Sequence, residues 1–284
     1  MVEGEFESSK ALHGFAPEIV PKPIGFGTYE EDDNVHFLLC EFVELEDEEP
    51  VDPIDLCKGI AELHRKSIDE SPDSQFGFQV TTCHETIQQH TQWTSSWEAF
   101  FIEHLKKAVE FEEQVQGPSP DISRLMSSVY GKVCPRLLRP LETEGRTLRP
   151  CLVHGGLWEE NTAAHRDTGL PYIFDPSALW AHNEYDLHKW RGARYKFGRS
   201  HVREYFHHFQ ISPPENDWED RHHLYSLVAD LHSSTLFPQT QKFRELAVQS
   251  MEELVHKFPE GYQGTACRKD NGSHGNGEVS HASK

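Results

Sequence analysis

Asn161 and Asp175 are the two residues whose types and spacing suit a metal-dependent reaction. Asn161 closes the run 152–161, and Asp175 ends a second run that begins at 172. β-Branched and aromatic residues on either side of an Asp-Thr-Gly turn at 167–169 predict two strands joined by a polar loop, which would bring the two side chains together. An amide oxygen and a carboxylate can hold a divalent metal. Phosphoryl transfer from ATP uses such a metal together with a separate base.

Helices make up most of the predicted framework around this pair. Apolar residues recur at helical spacing through most of the chain. Helix starts are marked at Asp52, with Pro53 in the first helical position, and at a capping box of Ser95 and Glu98. The remaining predicted helices lie over 3–12, after Pro120, and in three stripes within 202–258.

Two strand-type runs and an acidic linker are predicted before the second helix. Residues 24–29 and 35–42 have the length and apolar character of strands, and 35–42 can also be interpreted as a buried strand that ends in an acidic loop. The carboxylate-rich segment 44–53 is interpreted as a solvated linker. The paired histidines 207–208 and 222–223 lack the spacing of a zinc site, and we expect them on solvated helix faces.

Composition and charge exclude several classes of function. The formal net charge is −20 and no basic stripe is visible, which argues against binding to nucleic acid or to an anionic membrane surface. No apolar run approaches the roughly 18 residues of a membrane-spanning helix, and the first residues do not resemble a signal peptide. The six cysteines contain no C-x-x-C pair and are expected to be free thiols. We therefore expect a cytoplasmic protein.

The segment Leu-Val-His-Gly-Gly-Leu-Trp-Glu-Glu-Asn at 152–161 resembles the signature of the fructosamine/ketosamine-3-kinase family. In that family the loop reads L-V-H-G-D-L-W-x-x-N, and the following strand ends in Asp-Pro. This sequence keeps His154, Trp158, Asn161 and the Asp-Pro pair at 175–176. It departs at the catalytic aspartate of the family, where Gly156 stands.

A second match covers residues 76–101. It is similar to the F-G-F-x-V-T-T and W-x-x-x-W-x-x-F-F motifs of the family, with Gln88 and Thr91 as departures. Trp93 and Trp97 are candidates to stack on a sugar, although two tryptophans at this spacing are also typical of a core. The segment 182–187 resembles the H-x-E-x-x-L motif, whose acidic residues are expected to brace the signature loop. The resemblance extends over nearly all of residues 3–258.

The resemblance also implies roles for individual residues. Asn161 and Asp175 would bind Mg²⁺, Trp158 would lie against the sugar, and the residue at 156 would accept the proton of the sugar hydroxyl. His154 belongs to the same catalytic loop. The positions implied in nucleotide binding are Glu5, which would pair with a strand lysine, and the adenine-contacting Glu41, Phe42 and Val43.

Three of these assignments have open alternatives. Glu5 can equally be an exposed carboxylate in the first turn of a helix, favoured there by the helix dipole. The family's glycine-rich loop and strand lysine belong upstream of Glu5 and are not found, so either the recorded chain is incomplete or the protein has lost them. Glu159 and Glu160 are the nearest carboxylates that could replace the base missing at 156.

The implied fold class is α+β and protein-kinase-like. We expect an incomplete small N-terminal lobe, with one helix and a few strands, over residues 1–50. A large and mainly helical C-terminal lobe is expected over 51–260, followed by a disordered tail over 261–284, where Gly, Ser, His and Asn dominate.

The implied activity is ATP- and Mg²⁺-dependent phosphorylation of protein-bound ketosamines, as in a protein-ribulosamine or fructosamine 3-kinase that repairs glycated proteins. Its substrates would be glycated proteins or small ketosamines. The alternative is a catalytically impaired pseudokinase or binding module, because Gly156 has no side chain to act as the base. A small-molecule kinase of the aminoglycoside or choline type shares the fold and is a third possibility.

Overall fold

The computed structural model describes residues 1–46 and 51–264, which form a mixed α and β structure with a mainly helical C-terminal part. The helices are α1 (Val2–Phe15), α2 (Pro53–Ser67), α3 (Trp97–Gln116), α4 (Pro120–Ser128), α5 (Cys134–Leu138), α6 (Arg199–His208), α7 (Trp218–Leu236) and α8 (Gln241–Lys257). The strands are β1 (Pro23–Tyr29), β2 (Asp32–Cys40), β3 (Leu45–Glu46), β4 (Cys83–His84), β5 (Ile87–Gln88), β6 (Cys151–Val153), β7 (Thr162–His165), β8 (Pro171–Ile173) and β9 (Leu179–Ala181). A 3-10 segment, Asn183–Arg191, follows β9.

The N-terminal part is helix α1 packed on an antiparallel hairpin of β1 and β2. Phe6 of α1 meets Phe26 of β1 with ring centroids 5.0 Å apart. Successive side chains of a strand point to opposite faces, so α1 covers only one face of this hairpin. Val35, Phe37 and Leu39 of β2 are exposed. The interpretation of 35–42 as a buried strand is therefore wrong, although its strand character is confirmed.

A three-stranded sheet in the order β3, β7, β8 carries the predicted strand–loop–strand unit. Thr162 pairs with Ile173 across the antiparallel β7–β8 hairpin, which confirms that unit. Leu45 of β3 pairs with His165 of β7. The acidic segment therefore starts as a strand and not as a solvated linker, and its residues 47–50 lie outside the described part of the chain.

Helix α2 begins as its sequence predicts. The Asp52 carboxylate accepts a hydrogen bond from the N–H of Ile54 at 2.7 Å, with proline in the first helical position. This confirms the predicted cap, because a side-chain oxygen satisfies an N–H that has no partner within the helix.

Helix α3 begins one residue later than predicted, at a cap formed by Ser96 instead of Ser95. The carboxylate of Glu142, distant in sequence, accepts hydrogen bonds from the N–H groups of Trp97 at 2.9 Å and Glu98 at 3.3 Å. The Glu98 side chain is paired with an arginine and does not close a capping box. A tertiary partner thus replaces the local one that the sequence pattern indicated.

The core lies between α3, α7 and the 3-10 segment. Trp97 is fully buried, and its indole donates to the hydroxyl of Tyr225 at 2.8 Å, which confirms its interpretation as a core residue. Helix α7 is buried on most of its surface, and His222 and His223 on it are each 8% exposed. The expectation of a solvated face for this pair is wrong, because the 3-10 segment and α8 pack on both sides of α7.

The described residues test three further expectations only in part. The five cysteines within the described residues are unpaired, which confirms free thiols there. Of the predicted tail, Gly261–Gly264 are described, whereas 265–284 lie outside the described residues. Among the helices that the structure describes, none is both long enough and apolar enough to cross a membrane.

Candidate active site

The signature loop leaves β6 through a glycine that no other residue could replace without strain. Gly155 has φ +78°, and a Cβ built on it would lie 2.2 Å from the carbonyl oxygen of Ser177. Only glycine adopts this conformation at little cost and also permits this approach. The close approach holds the loop against the segment between β8 and β9.

A buried carboxylate fixes the main chain of this loop. Asp186 accepts hydrogen bonds from the N–H groups of His154 at 3.0 Å and Gly155 at 2.8 Å, and its carboxylate also meets His64 at 3.1 Å. Burial alone would raise the pKa of Asp186, but the hydrogen bonds and the charge of His64 outweigh it and lower the pKa. Asp186 therefore braces the loop, as expected for the acidic residues of 182–187.

His154 takes part in the same support. Its Nδ1 accepts a hydrogen bond from the N–H of Gly156 at 3.2 Å, so its Nε2 donates to the carbonyl oxygen of Phe174 at 3.0 Å. Burial lowers the pKa of this histidine, which is fully enclosed. The ring is consequently neutral and holds the shape of the loop.

The β7–β8 hairpin brings Asn161 and Asp175 side by side. The amide nitrogen of Asn161 donates to the carbonyl oxygens of Gly156 at 2.9 Å and Asp175 at 3.4 Å. Its amide oxygen has no hydrogen bond to another described residue, and the Asp175 carboxylate is exposed. Asp175 has φ 55°, a left-handed conformation that aspartate tolerates better than most residues.

An amide oxygen and a carboxylate have the chemistry of ligands for a divalent metal that takes its other ligands from a nucleotide. Within the described residues, no group of three or more His, Cys, Asp or Glu side chains could hold a metal. Mg²⁺ commonly binds one or two protein oxygens and completes its shell with phosphates and water. A site of two ligands is thus suited to a metal that arrives with phosphate groups.

Gly156 occupies a position that does not require glycine. Its φ lies outside the left-handed region, and a Cβ built there would meet Ser177 Oγ at 3.4 Å and both Asn161 Nδ2 and the Asp175 carbonyl at 3.6 Å. These are ordinary van der Waals distances. Ser177 Oγ is buried and has no hydrogen-bond partner among the described residues. The structure therefore has room for a Cβ at 156, and an unused donor lies beside it.

Lys189 is a cleft residue that the sequence reasoning missed. It is 2% exposed, and its Nζ lies 5.2 Å from the ring centroid of Trp158. Burial lowers its pKa to about 8, against the opposing effect of Glu85 and Asp175. It forms no ion pair within the described residues. The sequence feature that could have identified Lys189 is its position three residues after Asp186, because residues three apart share a face of a 3-10 helix.

Glu5 of α1 forms no ion pair with a described residue. Its pKa is raised to about 6, first by burial and then by the charge of Asp175, while the N-terminal ammonium opposes the rise. The structure thus places Glu5 near the candidate metal ligand, and a lysine partner is not found in the part of the chain that is described.

Glu41, Phe42 and Val43, together with residues of the β7–β8 hairpin, border a cavity of about 420 Å³. The main-chain groups of Phe42 and Val43 form no hydrogen bonds with other described residues, whereas Glu41 is held by Lys22 through its N–H and its carboxylate. Free main-chain donors and acceptors beside a cavity suit the polar edge of a planar ring.

Comparison with known proteins gives consistent matches. The family described as "Fructosamine kinase" matches residues 1–257. A chloroplastic protein-ribulosamine 3-kinase from Oryza sativa subsp. indica is 30% identical over 241 residues, which cover 84% of this chain and 64% of that protein. A ketosamine-3-kinase from Mus musculus is 33% identical over 131 residues, 46% of this chain and 38% of its own length. The chain thus spans less than two thirds of these relatives.

A solved structure shows the same fold. A protein provisionally named fructosamine-3-kinase from Haemophilus somnus superposes with a TM-score of 0.68 at 20% identity, over 90% of this chain and 80% of that one. This likeness confirms the predicted kinase-like α+β fold class.

Proposed function

Because this chain belongs to the fructosamine kinase family, we propose that it phosphorylates protein-bound ketosamines with ATP, as a ribulosamine or fructosamine 3-kinase. The observation that carries the proposal is the pairing of Asn161 and Asp175 beside a loop whose main chain is fixed by Asp186. Glycated proteins or small ketosamines would be the acceptors. Five unpaired cysteines are consistent with action in the reducing cytoplasm.

The proposed roles are those of nucleotide binding, metal binding and acceptor binding. Residues 1–50 would form the remnant of the nucleotide lobe, and the main chain of Phe42 and Val43 would meet the adenine edge. Asn161 and Asp175 would hold Mg²⁺, which when bound neutralises charge on the transferring phosphate. Trp158, half-buried at the mouth of the loop, would lie against the sugar. The lobe over 51–260 would position the acceptor.

Gly156 lowers the expected rate without removing every source of catalysis. A positioned general base commonly contributes about 10²–10⁴ in rate. Positioning and electrostatics supply most of the acceleration in phosphoryl transfer. A slow reaction is therefore consistent with the geometry of the remaining residues.

The test is transfer of phosphate from ATP to the ribulosamine of a blocked lysine, followed by mass spectrometry with and without Mg²⁺. Asp175→Asn and Asn161→Ala should each abolish the Mg²⁺-dependent transfer. Asp121→Asn, which changes an exposed carboxylate at the start of α4, should leave it unchanged. Transfer that persists in the Asp175 variant would contradict the proposed role of this pair.

A non-catalytic pseudokinase is the second candidate, and one observation favours it. Gly156 has no side chain that could act as the base. This candidate predicts that ATP with Mg²⁺ raises the melting temperature although no ketosamine is phosphorylated. Thermal shift and phosphate transfer measured on one preparation separate the two candidates.

A further inference from the structure

Residues 191–203 form a basic segment in an otherwise acidic protein. This segment contains five lysines and arginines and no aspartate or glutamate, whereas the whole chain has a formal net charge of −20. It connects the 3-10 segment to the first turn of α6. Such a local excess of positive charge is independent of the signature loop.

Three arginines of this segment line one cavity of about 440 Å³. We call it the basic cavity. Its cationic wall is Arg191, Arg199 and Arg203, and the only carboxylate in its lining is Glu219. Its aromatic wall consists of Trp190, Tyr195, Phe197 and Trp218.

These three guanidinium groups differ from every other arginine in the described part of the chain. None of the three forms a hydrogen bond or an ion pair with a described residue. Each of the other ten donates at least one side-chain hydrogen bond: Arg65, Arg124, Arg136, Arg139, Arg146, Arg149, Arg166, Arg194, Arg221 and Arg244.

The electrostatics of the basic cavity favour an anion. Burial lowers the pKa of Arg191 and the charge of Arg199 contributes in the same direction, while Glu219, Glu253 and Asp220 oppose it. Within the described residues none of these carboxylates forms an ion pair with the three exposed guanidinium groups, and an anionic ligand would relieve the repulsion among the three cations. Guanidinium groups bind carboxylates with two parallel hydrogen bonds.

The basic cavity adjoins the acceptor side of the candidate active site. Tyr195 from its aromatic wall meets Trp158 edge-to-face, with ring centroids 5.8 Å apart. The indole of Trp190 donates to the carbonyl oxygen of Leu157 at 3.1 Å, so the wall of the cavity is tied to the signature loop. A ligand in this cavity would therefore lie beside a sugar held at Trp158.

We propose that the basic cavity binds acidic side chains of the protein that carries the ketosamine, so that the preferred substrate is a glycated lysine with carboxylates nearby in sequence. This inference rests on the proposed function for the identity of the substrate. The binding of acidic peptide can nevertheless be measured without any turnover.

The first measurement compares the affinities of two unglycated peptides. In one the lysine is flanked by glutamates, and in the other those glutamates are replaced by glutamines. Arg199→Gln/Arg203→Gln should weaken binding of the acidic peptide about tenfold, which corresponds to about 1.4 kcal/mol. Arg124→Gln/Arg149→Gln is the charge-matched control, because both side chains are exposed and lie outside the cavity. It should change the affinity less than twofold. Inorganic phosphate is a second probe.

The second measurement is phosphate transfer to the two peptides after glycation. A lower KM for the acidic peptide, lost in Arg199→Gln/Arg203→Gln and reduced at high salt, supports the inference. Equal KM values with normal turnover overturn it and leave the proposed function intact. Arginine-dependent binding of acidic peptide without any turnover supports the cavity and refutes the kinase. The inference is overturned if Arg199→Gln/Arg203→Gln and Arg124→Gln/Arg149→Gln lose the same affinity for the acidic peptide. It is also overturned if the protein binds inorganic phosphate but not the acidic peptide.

Discussion

Gly156→Asp should convert a slow or inactive protein into a faster kinase. An aspartate Cβ at this position would lie at 3.4–3.6 Å from its nearest neighbours, and the φ of Gly156 is one that a side chain can adopt. The new carboxylate would lie beside Ser177 Oγ, which now has no partner among the described residues, and beside the amide of Asn161. Ser177 Oγ can donate to it and orient it toward the acceptor.

The expected gain in kcat is about 10²–10⁴, which corresponds to about 2.7–5.4 kcal/mol of the activation barrier. The Cβ of the new side chain meets only ordinary contacts, so its steric cost should be less than about 1 kcal/mol of unfolding free energy. Gly155→Asp is the structural contrast. It places a Cβ 2.2 Å from a carbonyl oxygen at φ +78°, and should cost several kcal/mol of stability, at least about 3.

The assay compares ketosamine phosphorylation by the wild type, Gly156→Asp and Gly156→Asn at equal ATP and Mg²⁺. Asparagine has the same size but cannot accept the proton, so its rate should stay at the wild-type level. Urea denaturation and nucleotide titration show that the variants fold and bind equally. A folded, nucleotide-binding Gly156→Asp protein no faster than Gly156→Asn would refute the assignment of position 156 to the base.

Three further predictions test the supports of this site. Asp186→Ala should cost about 3–5 kcal/mol of unfolding free energy in urea, because it leaves buried N–H groups and His64 unpaired, whereas Asp69→Ala in an exposed ion pair should cost less than about 1. Burial lowers the pKa of His104 to about 4 and of His188 to about 3, so below about pH 6.5 the unfolded chain binds more protons than the folded one. The melting temperature should therefore fall as the pH drops from 7 to 5. His188→Gln should make this fall smaller, whereas the exposed His207→Gln should not change it. Lys189→Met should raise the unfolding free energy at pH 7 by on the order of 2 kcal/mol, because it removes a buried amine with a pKa of about 8 whose protonation destabilises the folded state. The gain should vanish above about pH 10, where the amine is neutral in the folded and the unfolded chain. An unchanged stability would place the amine in solvent.

Local patterns predicted the framework well where neighbours in sequence are also the interacting groups. The cap of α2 is an aspartate two residues from the N–H it accepts, and the β7–β8 hairpin is set by its own turn and its alternating side chains. The same local rule failed at α3. There Glu142 reaches the helix start from 45 residues away in the chain, and the serine chosen from the pattern is not the cap.

Exposure was harder to predict than element type. The apolar run of β2 has the composition of a buried strand, but only α1 packs on its hairpin and the other face is exposed. His222 and His223 have the composition of a solvated helix face and are nearly enclosed. Burial depends on which elements pack on each face, and periodicity within one element does not contain that information.

The class of most helices and of the β7–β8 hairpin can be derived from the order of amino acids, because it depends on contacts a few residues apart. The resemblance to a family motif indicated the signature loop and the carboxylate missing at 156. The fold alone decided that a Cβ at 156 meets only ordinary contacts, that Lys189 lies over Trp158, and that three arginines without partners among the described residues meet around one cavity. These features arise from segments that are far apart along the chain and come within a few ångströms only after packing. Their energies depend on distances in space that no spacing along the chain specifies.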